Sequence, residues 1–410
     1  MKTTCLLGAM VIMTGVVCSA RAATFVPTWY DELRVEHLPK LAADGCQQVV
    51  VYAVGGSGVP AGDDHFLNGR LAQYLATANT CGIKVIVSVL WVVRAGDMGA
   101  LSTYAAQFAS APALAGWYLL DEPPANDQAL IKQAVTAYGI LKKATPSLPV
   151  YMAFMLFQWQ VQKGGEVDIP AQYQAAYDVL MWDCYSLYRD DKGTPPTYRP
   201  EWVDIGDWIA SFDNMKVVAA GLGKPLMPVL QGSGDNPRGH ANYLRLPSRA
   251  EERFMVYYAA NNGALTVSFW EYDWLLDSVA TLAPNPYLGT GEQWRQEVGK
   301  PVMDEIRRYT AAIDGGPVAG AVTGWGDGIN GKVYRDPRTG KYYLLTVNCR
   351  GTASSAFTLV ITLPGNWSHL AEDGAGNLPV VGNRVTVGQA GYAKYQVRNF
   401  ELVPVGAKKP

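Results

Sequence analysis

Acidic side chains stand directly after short apolar runs at three places in this sequence. Asp121 and Glu122 follow the first run, Asp183 ends the second, and Glu271 ends the third. An ionised group is costly to bury, so its position at the end of an apolar segment calls for a functional explanation. Carboxyl groups in one site can divide the work, because one protonates a leaving oxygen while another attacks carbon or activates water. We therefore take Glu122, Glu271 and Asp183 as the candidate catalytic residues.

Eight apolar runs, separated by longer stretches that can carry a helix, are predicted to be the strands that position these acids. Their apolar character is continuous rather than alternating, which is typical of parallel strands covered on both faces. Repetition of this unit predicts an α/β fold, a (β/α)8 TIM barrel over residues 23–314, with the acids gathered at the rim where the strands end. The predicted strands span 24–29, 48–54, 84–91, 117–121, 149–155, 178–184, 225–230 and 265–271.

Aromatic and polar side chains occur at or near the same strand ends. Flat rings around a group of carboxyl groups would stack on a sugar and exclude water. The ordinary alternative is that such rings pack in the core, and that Asp121, Glu122 and Pro123 only cap the following helix. The residues predicted to bind substrate are Asp121, Trp29, Tyr30, Trp91, Tyr118, Tyr185, Gln231 and Trp270.

After Asp314 the pattern changes to short alternating strands joined by Gly, Asn and Pro turns. This pattern predicts a small antiparallel β-sandwich over residues 318–404. Within it, residues 326–331 match the spacing GxGxxG. A strand follows this match where a dinucleotide-binding motif needs a helix, so we interpret it as a turn.

Composition narrows the class of partner. The chain has 410 residues, 49% of them hydrophobic and 17% charged, which is typical of a globular protein with a large core. A net charge of −2 gives no electrostatic footprint for nucleic acid or an anionic membrane, so a neutral partner fits better. The four His residues are widely separated and lack HxH or HExxH spacing, so no dedicated transition-metal site is predicted. Carboxylate chemistry of the kind described above implies no cofactor.

The N-terminus has the pattern of a signal peptide. Lys2 precedes an apolar run over residues 6–17, and Ala20-Arg21-Ala22 has the form of a cleavage site. We expect a signal peptide of residues 1–22 and export to the periplasm or the extracellular space. Val17 before Cys18 argues against a lipid anchor.

Exported proteins can keep disulfides. Cys46 and Cys81 precede the second and third predicted strands, which are neighbours in a barrel. We therefore predict a disulfide between them.

The run from Gly116 to Pro123 resembles the fourth strand of clan A glycoside hydrolases, where Asn-Glu-Pro places the acid/base glutamate. Asp121 replaces the Asn here. Trp270 resembles the tryptophan on strand eight that forms the floor of the sugar subsite in that clan, and a trailing β-sandwich is common among such enzymes. The resemblance implies that Glu122 is the proton donor of a hydrolase acting on a carbohydrate.

One position departs from that pattern. The clan carries its nucleophilic glutamate at the end of strand seven, where this sequence has Gln231, and an amide cannot attack as a carboxylate does. Glu271, and after it Asp183, are the candidates for the second carboxylate. The expected function is therefore an exported glycosidase that cleaves O-glycosidic bonds in an oligo- or polysaccharide. A substrate-assisted, hexosaminidase-like enzyme and a non-catalytic carbohydrate-binding barrel stay open as alternatives.

Overall fold

The computed structural model of this chain describes residues 25–52, 69–155, 168–183, 185, 187, 205–234, 246–272, 275, 291–373, 375–387 and 391–406. Within them, parallel strands β1 to β8 close into a barrel in the order in which they occur along the chain. This confirms the TIM barrel, and each observed strand overlaps the run predicted for it. The strands are β1 Thr28–Asp31, β2 Gln48–Val51, β3 Lys84–Ser88, β4 Leu114–Asp121, β5 Val150–Met155, β6 Val179–Asp183, β7 Leu226–Gln231 and β8 Ser268–Trp270.

Helices surround the barrel, and several of them begin at an Asp or Ser whose side chain accepts a hydrogen bond from the first turn. The spacing of Ser248 and Glu251 forms a capping box, in which Ser248 accepts from the Glu251 main chain and Glu251 accepts from the Ser248 main chain at 2.8 Å. The described α-helices are α1 Leu38–Ala43, α2 Arg70–Thr80, α3 Leu90–Arg94, α4 Met98–Phe108, α5 Gln128–Ala144, α6 Ile169–Gln172, α7 Ile205–Gly221, α8 Arg249–Asn261, α9 Gly291–Trp294 and α10 Lys300–Asp314. Shorter turns are the 3-10 turns Val35–His37 and Gln174–Ala176 and the π-helical turn Arg295–Gly299.

The barrel strands separate two apolar layers because successive side chains point to opposite faces of a strand. Tyr30 of β1 lies inside the barrel with Val50 and Ile86. Its neighbour Trp29 lies outside, between the strands and the helices, and stacks on Phe269 with ring centroids 5.1 Å apart. Trp29 was predicted to bind substrate, but this alternation directs it away from the barrel interior.

A β-bulge in β4 sets the direction of the acidic residues that follow. Tyr118 pairs with Tyr151 and Leu120 pairs with Met152, so Leu119 is an extra residue in the ladder. Leu119 and Leu120 both pack in the outer layer, whereas Tyr118 lies inside the barrel. The extra residue shifts the alternation, and as a result Asp121 faces the interior together with Tyr118.

The C-terminal part folds into two antiparallel sheets around an apolar core of its own, as the β-sandwich prediction requires. One sheet has the order β10-β11-β16-β13-β14 and the other the order β15-β12-β9. The GxGxxG match leads into β10 through a turn, with Gly328 at a φ of +75°. The strands are β9 Val322–Thr323, β10 Ile329–Arg335, β11 Tyr342–Asn348, β12 Phe357–Ile361, β13 Trp367–Glu372, β14 Asn377–Pro379, β15 Arg384–Val387 and β16 Val397–Pro404.

Helix α8 of the barrel joins the sandwich through its last turn. The Asn261 side chain donates to the main-chain oxygen of Leu345 on β11 at 3.1 Å, and the Tyr334 hydroxyl donates to the main-chain oxygen of Ala260 at 3.2 Å. Arg253 of the same helix pairs with Glu305 of α10 at 2.8 Å. Buried polar contacts of this kind fix the orientation of two packed units.

The predicted disulfide is absent, and this corrects the sequence interpretation. Cys46 and Cys81 are both free thiols. Cys46 is buried and its thiol donates to the main-chain oxygen of Gln48 at 2.9 Å, while Cys81 is half-buried at the end of α2. Being neighbours in strand order is therefore not sufficient to bring the two sulfur atoms together.

The signal peptide over residues 1–22 lies outside the described residues. In the part of the chain that the structure describes, no helix is both long and apolar enough to cross a membrane.

Candidate active site

The candidate acids gather at the end of the barrel where the parallel strands terminate, which we call the barrel mouth. Asp121 ends β4, Asp183 ends β6, and Glu271 directly follows β8. Glu122 continues the β4 ladder, since its main-chain N–H donates to the Ala153 oxygen at 3.0 Å. This end of a TIM barrel is where such folds hold their chemistry.

Glu122 has an unusual backbone for its residue type. Its φ is +42°, in the left-handed region that residues with a Cβ rarely adopt. Glu122 is half-buried and therefore reaches solvent, unlike the buried Asp183 and Glu271. A non-glycine residue held in this conformation at a strand end is a candidate functional residue.

Asp121 is held by tyrosines from two strands. The Tyr52 hydroxyl donates to its Oδ2 atom at 2.8 Å, and the Tyr118 hydroxyl donates to its Oδ1 atom. Arg94 donates to its main-chain oxygen at 2.8 Å. Burial raises the pKa of Asp121 above its ordinary value, and the hydrogen bonds from Tyr118 and Tyr52 and the charge of Arg94 offset only part of that rise.

Asp183 and Glu122 form what we call the acid pair. Asp183 is 6% exposed, and burial raises the pKa of its carboxyl group well above the ordinary value. The charges of Glu122 and Asp121 and a hydrogen bond with Glu122 act in the same direction. Because neighbouring carboxyl groups resist ionising together, this arrangement favours one proton shared by the pair.

Tyr52, which the sequence interpretation missed, lies among these acids. It follows β2, and its ring contacts that of Trp270 edge to face at 4.7 Å. Burial raises the pKa of its hydroxyl, and the charges of Asp121, Glu122 and Glu271 raise it further. The signal available in the sequence was its position at the end of a predicted strand, which it shares with many core aromatics.

Glu271 is the fully buried acid of the mouth, and it follows Trp270 through a cis peptide bond. The charge of Glu271, which follows β8, raises the pKa of the Tyr52 hydroxyl, as do the charges of Asp121 and Glu122 at the end of β4. The structure thus places a further carboxylate in the electrostatic reach of the same tyrosine.

Gln231 ends β7 and is buried. Its side-chain oxygen accepts from the Leu187 main-chain N–H and its side-chain nitrogen donates to the Leu187 main-chain oxygen, each at 3.1 Å. Gln231 was predicted to bind substrate, but both ends of its amide are used in holding the segment after β6.

The remaining predicted aromatics occupy different depths. Tyr30 and Tyr118 form the floor inside the barrel, with ring centroids 5.9 Å apart, and Trp270 and Tyr185 pack on the same inner layer. Trp91 lies on α3 after β3 and is 43% exposed, so its ring is open to a ligand.

No group of three or more His, Cys, Asp or Glu side chains within the described residues is arranged to hold a metal ion.

The fold is shared with solved structures of carbohydrate-active proteins at low sequence identity. A family 5 glycoside hydrolase from Bacteroides vulgatus is 12% identical with a TM-score of 0.56, covering 94% of this chain and 90% of that one. A catalytic mutant of a family 42 β-galactosidase from G. stearothermophilus is 9% identical with a TM-score of 0.57, covering 93% and 98%. The structure of AmyP in complex with maltose is 10% identical with a TM-score of 0.54, covering 95% and 99%.

At these identities the likeness establishes the architecture of barrel and trailing sheets. No protein-family model matches the chain, and no curated protein sequence does either.

Proposed function

We propose that this chain is a glycoside hydrolase that cleaves O-glycosidic bonds in an oligo- or polysaccharide, with Glu122 as the proton donor. The observation that carries the proposal is the acid pair, in which the half-exposed Glu122 stands beside the buried Asp183 at the barrel mouth. The glycosidases among the solved structures of like fold support this class of substrate. Following the sequence, we also propose that the protein is exported.

The chemistry begins with the proton held by the acid pair. The O–H bond of Glu122 breaks as the leaving oxygen takes the proton, and the electron pair of the glycosidic C–O bond goes to that oxygen. A second carboxylate then either attacks the anomeric carbon or takes a proton from an attacking water. In the first route water then breaks the bond between the sugar and the carboxylate, and in both routes the proton lost by the attacking water is the one that restores the acid pair.

Glu271 is the stronger candidate for the second carboxylate. Burial and two neighbouring acids raise the pKa of Asp183, so its carboxyl group resists ionising and is a poor nucleophile. The charge of Glu271 acts on the Tyr52 hydroxyl, and Trp270 beside Glu271 supplies a ring surface. Because Glu271 is fully buried, substrate binding must uncover it.

The two alternative functions differ in how well the structure supports them. In a substrate-assisted enzyme Asp121 would orient the acetamido group of the sugar, but both of its oxygens already accept tyrosine hydroxyls. A non-catalytic carbohydrate-binding barrel is favoured by Gln231, whose amide stands at the nucleophile position of strand seven. Turnover separates this second candidate from the hydrolase.

Azide rescue tests the assignment of the second carboxylate. Aryl α- and β-glycosides and a polysaccharide panel first identify a substrate, and then Glu271→Ala and Asp183→Ala are assayed with and without azide. We expect azide to restore activity and to form a glycosyl azide only with Glu271→Ala, because the small anion fills the space of a lost nucleophile. Rescue of Asp183→Ala alone would reverse the assignment, and the absence of any turnover by the unmodified protein would favour the binding barrel. Glu252→Gln, a buried carboxyl change outside the mouth, is the matched control.

A further inference from the structure

We propose that Tyr52 and Tyr118, which we call the tyrosine clamp, hold Asp121 as a fixed anion that keeps a proton on the neighbouring acid pair. Asp121 is then a positioning residue and not a ligand of the sugar. The catalytic meaning of this inference rests on the proposed function, whereas the proton itself can be detected without a substrate.

The Asp121 carboxyl group is held at both of its oxygens. Hydroxyl groups from the ends of two different strands reach the two oxygens of one carboxylate, Tyr52 to Oδ2 and Tyr118 to Oδ1. Arg94 fixes the same residue through its main-chain oxygen. Asp121 is thus restrained at three atoms and cannot turn toward a ligand without breaking these contacts.

Packed rings support the clamp from behind. The Tyr52 ring contacts Trp270 at 4.7 Å, and the Tyr118 ring contacts Tyr30 at 5.9 Å, both edge to face. The ring centroids of Tyr52 and Tyr30 are 6.0 Å apart. Moving either hydroxyl would require the aromatic floor of the barrel to repack, which a close-packed interior resists.

Both side-chain donors to Asp121 are neutral hydroxyl groups. Hydroxyl donors stabilise a carboxylate without supplying positive charge. The charge of Arg94 lowers the pKa of Asp121, but Arg94 binds the main-chain oxygen, and the described residues contain no ion pair to the Asp121 side chain. The negative charge therefore acts on its surroundings, and it contributes to the raised pKa of Asp183. The ionisable groups that face Asp121 are Tyr30 of β1, Tyr52 after β2, Arg94 of α3, Tyr118 and Glu122 of the β4 segment, and Asp183 and Tyr185 of the β6 segment.

The charge of Asp121 affects the group that donates the proton. A general acid must still hold its proton at the working pH. A fixed anion beside the acid pair makes loss of that proton harder, so Glu122 can act as a donor at a higher pH. Asp121 itself exchanges no atom with the substrate in this scheme.

Infrared difference spectroscopy tests the proposal on the intact protein, because a protonated carboxyl group and a carboxylate absorb at different frequencies. Asp183→Asn identifies the band of the acid pair, and Glu252→Gln identifies that of a second buried carboxyl group. In Asp121→Asn, which removes the charge but keeps the shape, the band of the pair should vanish at a pH about one unit lower than in the unmodified protein. Loss of the band at the same pH in both proteins would overturn the proposal.

Tyr52→Phe and Tyr118→Phe test the clamp separately from the charge. Each removes one hydroxyl donor, so Asp121 should take up a proton at a higher pH than in the unmodified protein. Because a protonated Asp121 carries no charge, the band of the acid pair should also move toward lower pH, in the same direction as in Asp121→Asn. If Asp121 takes up its proton at the same pH in both variants as in the unmodified protein, the tyrosines do not stabilise the anion. Thermal unfolding of each variant checks that the fold is retained.

The kinetic arm separates this inference from the proposed function. If glycans are hydrolysed, the alkaline limb of kcat/KM should shift to lower pH in Asp121→Asn by the same amount as the infrared band. A protein that hydrolyses no glycan would defeat the proposed function, while the infrared result would still decide whether Asp121 controls the proton.

Discussion

Gln231 and Leu187 are joined by two hydrogen bonds of 3.1 Å, in which one side-chain amide both donates to and accepts from one main-chain residue. An amide can make this pair of bonds because it carries a donor and an acceptor, whereas an ionised carboxylate can only accept. The residue at the end of β7 is thus explained by its structural contact to the segment after β6.

Gln231→Glu should destabilise the protein and should not create a better catalyst. The new carboxylate cannot donate to the Leu187 oxygen, and it places a charge in a buried position, so the free energy of unfolding should fall by about 1–3 kcal/mol. Urea unfolding of the variant measures this loss. A Gln231→Glu protein as stable as the unmodified chain and more active on glycans would contradict this account of the position.

Trp91→Ala should weaken the use of long substrates while sparing the fold. The indole is exposed, and Arg94, which also binds the Asp121 main chain, lies 5.8 Å from its ring. Loss of a stacking surface should raise KM for a polysaccharide about tenfold and leave kcat on a small aryl glycoside nearly unchanged. Val217→Ala, at an exposed position on α7, is the control. Equal effects on long and short substrates would remove Trp91 from the binding surface.

The free thiols give a prediction that needs no substrate. Cys46 is buried, and burial raises the pKa of its thiol to about 12, so it should stay unreactive in the native protein at pH 8. Cys81 is half-buried and should react first with a thiol reagent, before denaturation exposes Cys46. Mass spectrometry of peptides from unreduced protein provides the check, since a cross-linked Cys46–Cys81 peptide would restore the disulfide that the sequence predicted.

Glu252 on α8 makes stability depend on pH. It is fully buried, and neither carboxylate oxygen has a hydrogen-bond partner in the part of the chain that the structure describes. Burial raises its pKa well above the ordinary value, and the charge of Glu251 raises it further.

The folded state binds the proton of the Glu252 carboxyl group more tightly than the unfolded state does. The stability gained from this proton is therefore fully present below the unfolded pKa of about 4.3, and it is lost as the pH rises through the folded pKa. Glu252→Gln should therefore increase stability at pH 8 and change it little near pH 4. Urea unfolding at both pH values compares the variants, and an equal effect at the two pH values would mean that Glu252 does not titrate as described.

The order of the barrel strands was predictable because a strand buried on both faces needs a continuous apolar run. The directions of the side chains on those strands were less predictable. The sequence interpretation assigned both Trp29 and Tyr30 to the binding surface, although adjacent residues of one strand point to opposite faces. Alternation alone could have separated them.

The contacts of Asp121 could not be predicted in the same way. Its inward direction depends on the extra residue Leu119 in β4, and no residue there marks a bulge as a glycine would. Tyr52 and Tyr118 donate hydrogen bonds to Asp121 only because the bulge shifts the alternation of β4 and turns the Asp121 side chain to the inside of the barrel. The acids of the mouth were recognisable from chemistry, while their hydrogen-bond partners required the fold.

The most direct test of the central claim is the leaving-group dependence of Glu122→Gln. Rates are measured for the unmodified protein and the variant on a natural glycan and on an aryl glycoside with an acidic leaving group. If Glu122 is the proton donor, the variant should lose about 100- to 10,000-fold on the glycan and much less on the aryl glycoside, whose departing oxygen needs no proton. Hydrolysis of the glycan by Glu122→Gln at the unmodified rate would contradict the account.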